Sequence, residues 1–140
     1  MMEEEQKKKK ILYLDSNFHI YERYEKWEYH EVVDCVEIFS ARNVDKAKQK
    51  TLEVGSFDLV GIHLSTNNAI EFARYTRNRN RDTLIVALSG MSRHYIKETL
   101  DKINFPYDQL LTRFNLYEEP KETARSLIRI LSEIENLRSI

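Results

Sequence analysis

Apolar residues along the chain follow two spacings. Short, mainly apolar runs occur at Ile11-Leu12-Tyr13-Leu14, Val32 to Phe39, Phe57 to His63 and Thr83 to Leu88, with a brief one from Gln109 to Thr112. Runs of that length, rich in β-branched and aromatic residues and lacking polar alternation, predict strands buried on both faces. Between them apolar positions recur at helical spacing. Ile20, Tyr24 and Trp27 share a face within 18–30, and Ile96, Leu100 and Ile103 share one within 92–103. Ala124, Leu127, Leu131 and Ile134 do so in a long last helix opened by Pro120, a residue suited to a first helical turn. Two further helices are expected, at 43–54 and 68–78. Asn43 is placed to cap the first of these and Gly55 to end it in the left-handed region. Ser92 is placed to cap the helix after strand four.

Five strands alternating with five helices predict a doubly wound α/β fold, a parallel sheet covered on both faces. Ligand crevices in such sheets lie beyond the carboxyl ends of the strands, at the switch point of the strand order. Those ends carry Asp15-Ser16, His63-Leu64, Ser89-Gly90 and Thr112-Arg113. Topology alone therefore selects the positions whose chemistry matters.

Composition narrows the class. A chain of 140 residues is one domain, which buries roughly two-thirds of its unfolded surface. Residues 1–9, with acids followed by lysines, read as a flexible lead into a single domain over 10–140. A net charge of -1 supplies no argument for nucleic acid or membrane partners. The single Cys35 cannot form an internal disulfide and fits a reduced, cytoplasmic setting. No apolar run approaches the ~18 residues of a membrane span. Arg74, Arg77, Arg79 and Arg81 close one helix, where cations suit the carboxyl end, and they lack the groove-reading partners of a nucleic-acid face. His19, His30 and His94 show no metal-ligand spacing with one another or with Cys35.

Five segments in order resemble the receiver domain of two-component response regulators, over roughly 9–137. They are Lys-Ile-Leu-Tyr-Leu-Asp at 10–15, Ser40 to Ala47, Phe57-Asp58-Leu59-Val60, Ala87-Leu88-Ser89-Gly90 and Leu110-Leu111-Thr112-Arg113. The resemblance implies a flavodoxin-like (βα)5 sheet in the order 2-1-3-4-5. It also implies a chemistry. A carboxylate ending strand three accepts a phosphoryl group, and an acidic pair after strand one holds magnesium so that two anions can meet. A hydroxyl after strand four and a lysine after strand five hold the phosphoryl oxygens.

This chain departs from that pattern at the reacting positions. Asp15 keeps the first acid, but Ser16 stands where the second is expected, and His63 stands at the phosphoacceptor. Ser89 keeps the hydroxyl, while Arg113 replaces the lysine and Phe114 the proline that follows it. Leu110 occupies the place of the family's switching aromatic. Asp58 cannot substitute as acceptor, because five residues at about 3.3 Å each put it ~16 Å from His63. The resemblance thus implies a pseudo-receiver that is not phosphorylated on aspartate, is no enzyme, and needs neither metal nor cofactor. It would act by protein–protein contact.

Three readings of His63 follow. It fills the former acid pocket, hydrogen-bonded to Asp15 or Ser89; or it joins Ser89, Arg113 and a helix amino end in holding a small anion or nucleotide; or it takes a phosphoryl group itself. The third lacks the surrounding metal site, and an enzyme built on His63 and Asp15 lacks an accompanying nucleophile or oxyanion site. Beside Asp15, the histidine is also placed to titrate near neutrality. By resemblance, the face formed by the helix after strand four, strand five and the last helix serves a protein partner or a homodimer. Ile96, Leu100, Tyr107, Ile130 and Leu137 are its candidate residues, with inward packing as the alternative.

Overall fold

The computed structural model describes residues 9–16, 36–112 and 120–138, and within the last helix the side chains of 125–134. Five strands, β1 (Lys9–Leu14), β2 (Val36–Ala41), β3 (Leu59–His63), β4 (Leu84–Ser89) and β5 (Gln109–Thr112), form one parallel sheet in the order β2-β1-β3-β4-β5. Four helices are described: α1 (Val44–Val54), α2 (Ala69–Arg79), α3 (Arg93–Lys102) and α4 (Pro120–Arg138). This is the flavodoxin-like architecture expected from the alternation of runs. The helix expected at 18–30 and the expected start of strand two, 32–35, lie outside the described residues. β2 continues two residues beyond the expected Phe39, to Ala41, because β1 pairs with it as far as Leu14.

Each strand feeds two cores. Leu12, Leu14, Val60, Ile62, Ile85 and Ala87 point toward α2 and α3, where they meet Phe72, Ala73, Ile96 and Leu100. Their neighbours Ile11, Tyr13, Leu59, Val86 and Leu88 point the other way, onto Leu127 and Leu131 of α4. Successive side chains alternate across a strand, so double coverage demands an unbroken apolar run. Gly61 is the exception within β3, and contact explains it. A Cβ there would lie 3.2 Å from Leu88 Cδ1 and 3.3 Å from Leu127 Cδ1, so the missing side chain lets α4 approach the sheet.

Local signals behave unevenly. Asn43 Oδ1 accepts the Lys46 N–H at 2.8 Å, and Gly55 ends α1 at φ 104 with its N–H on the Thr51 carbonyl. Both match expectation. Ser92 occupies the position before α3, yet its side chain makes no capping bond. At the amino end of the sheet, the Lys10 N–H donates to Asp58 Oδ2 at 2.8 Å and the Asp58 N–H to the Lys10 carbonyl. Asp58 therefore ties β1 to β3 at the edge opposite His63. There Arg77 also clamps Asp108, at 2.7 Å, and the Thr83 carbonyl.

Candidate functional site

Register brings the crevice together. Leu14 pairs with Ile62, so one residue further on Asp15 and His63 stand side by side. His63 pairs with Leu88, which brings Ser89 to the same edge, and Ser89 pairs with Thr112. Asp15, Ser16, His63 and Ser89 are thus neighbours at the carboxyl ends of the strands. Arg113 and Phe114 lie outside the described residues.

Asp15 is 1 % exposed and engaged from within its own strand. Tyr13, two residues earlier and so on the same face, donates its hydroxyl to Asp15 Oδ2 at 2.7 Å. The Asp15 N–H donates to the Ala41 carbonyl at 3.0 Å. Ser16 is exposed, and its N–H donates to the buried Thr66 hydroxyl at 3.2 Å. In the sequence Tyr13 reads as part of an apolar run; its two-residue spacing from Asp15 on a strand is the signal for a polar role.

His63 is half-buried, and its Nδ1 meets Ser65 twice, at 3.2 Å from the backbone N–H and 2.6 Å from Oγ. Because a backbone N–H can only donate, Nδ1 accepts, which assigns the proton of the neutral ring to Nε2. Burial pushes the His63 pKa below its ordinary 6.5, while the Asp15 charge pulls upward; burial is the larger effect. Sequence reasoning sought the partner in Asp15 or Ser89. The ring instead bonds to Ser65, two residues along, in a turn closed by Thr66 N–H to the His63 carbonyl at 3.0 Å. The Ser89 hydroxyl oxygen is occupied by the Met91 N–H at 3.1 Å.

The candidate interaction residues divide. Ile96 and Leu100 are buried in the core between the sheet and α3, not presented outward. Tyr107 is half-buried and donates to Asp101 Oδ1 at 3.3 Å; Ile130 is half-buried against the Leu127 layer. The Leu137 side chain lies outside the described residues. Large exposed apolar side chains occur instead at Met91, Tyr95 and Ile103 beside α3, and at Leu52 on α1. Among the described residues no group of three His, Cys, Asp or Glu side chains is arranged to hold a metal ion, and no helix is long and apolar enough to cross a membrane.

No protein-family model matches the chain, and no curated protein matches it in sequence. Solved structures do. A CheY-like response regulator receiver domain protein from Methanospirillum hungatei is similar over 92 % of this chain and 98 % of its own, at 15 % identity and a TM-score of 0.66. The response regulator domain of Thermotoga maritima CheB covers 93 % and 98 % at 13 % identity, with a TM-score of 0.67. The Thermotoga maritima response regulator TrrA, solved in complex with Mg(2+)-BeF, covers 85 % and 98 % at 26 % identity, with a TM-score of 0.58. At these identities the likeness concerns the fold, which is that of a response regulator receiver domain.

Proposed function

We propose that the chain is a pseudo-receiver, a signalling domain that works through protein contact and is not phosphorylated on aspartate. One observation carries the reading. At the position where the receiver fold needs a phosphoacceptor carboxylate, the strand ends in His63, whose Nδ1 is engaged by Ser65. The remaining acid supports it. Asp15 is buried and takes the Tyr13 hydroxyl, and Ser16 supplies no second carboxylate. Magnesium prefers near-octahedral oxygen coordination with several carboxylate or phosphate oxygens. These residues do not fit that ion.

Titration with magnesium and beryllofluoride, followed by amide chemical shifts, tests the reading. The expected result is no magnesium-dependent shift at Asp15, His63 or Ser89, and no acid-stable or base-labile phosphoryl label after incubation with acetyl phosphate. A saturable magnesium-dependent shift would overturn it. Anion binding without magnesium would favour the small-anion or nucleotide sensor instead. Sedimentation over a concentration series then reports whether the contact is with a second copy.

A further inference from the structure

A cavity of about 640 Å³ opens between α2 and α3 and reaches His63 and Ser89 at the edge of the sheet. That is the size of small-molecule sites, which run to roughly 300–1,000 Å³ and are mainly apolar with a few polar groups at fixed points. Its walls are Ile70 from α2, Tyr95, Ile96 and Leu100 from α3, and Ile103 and Phe105 from the loop beyond. Three of the four large apolar side chains exposed among the described residues border it: Met91 at 51 %, Tyr95 at 56 % and Ile103 at 45 %. Tyr95 lies in the first turn of α3 and Ile103 just past its last residue, so the exposed apolar side chains flank the opening at both ends of the helix. Exposed apolar area concentrated at one opening marks an interaction site.

The charge pattern specifies the occupant. In a chain with 32 % charged residues, none of the sixteen described residues that line the cavity is Asp, Glu, Lys or Arg. Polar groups gather at one end. The Ser89 oxygen already accepts a backbone N–H, which leaves its hydroxyl hydrogen to donate. Asn68, at the start of α2, lines this end and does not cap its helix with its side chain. Asn68 holds a left-handed φ of 63 beside this end, and Asn104 a φ of 55 beside the other. Among the described lining residues a carboxylate head would find no lysine or arginine, and it would approach buried Asp15.

We propose that this cavity binds a small uncharged amphipathic molecule, its apolar body between α2 and α3 and a hydrogen-bond-accepting head, a carbonyl or hydroxyl, at His63 and Ser89. The site goes beyond the signalling reading and stands without it, since it requires neither phosphorylation nor a protein partner. Amide chemical shifts of the whole chain during titration with 1-octanol and, separately, with octanoate provide the test. Octanol is expected to give saturable shifts confined to α2, α3 and the 64–68 loop, with octanoate weaker by about tenfold. Ile103→Asp and Tyr95→Lys, at exposed side chains that leave the core intact, should each weaken octanol by a similar factor. Absence of saturable shifts at millimolar octanol, equal binding of octanoate, or unchanged affinity in both variants would overturn the proposal. So would a concentration-dependent dimer abolished by Ile103→Asp, which would assign the opening to a second copy of the chain.

Discussion

His63 is a half-buried base whose hydrogen bonding favours the neutral ring. Its folded pKa lies below 6.5, so the unfolded chain takes up the proton first as pH falls. The stability that depends on the neutral ring is complete above about pH 6.5 and is lost progressively as pH drops below it toward the lowered folded value. Thermal melts between pH 8 and pH 5 should show a decline that is smaller in His63→Gln; parallel curves would contradict the assignment. Tyr13 makes the companion case. Removing its hydroxyl in Tyr13→Phe leaves a carboxylate that is 1 % exposed without that donor, at a cost of about 2 kcal/mol. A fall in Tm of roughly 5–10 °C is expected. Hydrogen bonds at alternate strand positions are legible from sequence only once a strand is accepted. The Ser65 contact was not legible, because it depends on how the chain turns after β3.

At the scale of elements, two helix starts that each carry a cap-type residue behave differently. Asn43 bonds to the Lys46 N–H, whereas Ser92 caps nothing. Asn43→Ala should therefore cost about 1 kcal/mol and Ser92→Ala less than about half that, measured by urea denaturation. Equal losses would mean that Ser92 caps α3 in solution. The joint between β3 and α4 turns on Gly61. Gly61→Val raises β-propensity, yet its side chain would press on Leu88 and Leu127, so a net loss of about 1–3 kcal/mol is expected. Apolar periodicity identified Leu127 and Leu131 as inward-facing, and they are. The same periodicity placed Ile96, Leu100 and Ile103 on one face. Ile96 and Leu100 pack inward, but α3 ends at Lys102, so Ile103 leaves that face and stays exposed, as does Tyr95.

For the whole molecule, the sheet order makes β1, β3 and β4 interior and leaves β2 and β5 at the edges. Interior strands bond on both sides and lie between two apolar layers, so their amides open only with global unfolding. Amide exchange of Leu12, Val60 and Val86 should be slowest, and that of Glu37 and Leu111 faster. A uniform rate across the sheet would contradict a single cooperative core.

Strand and helix order, double coverage of the sheet and the positions at its carboxyl edge follow from the sequence by itself, because burial on two faces imposes a local pattern on each segment. His63 and Ser16 are equally visible there, being identities rather than arrangements. Tertiary structure alone decided which face of α3 is exposed, and that a cavity with no charged side chain among its described lining residues lies between α2 and α3. Both depend on distances between segments far apart in the chain. A cavity is the space left by packing several elements, and no single segment encodes it.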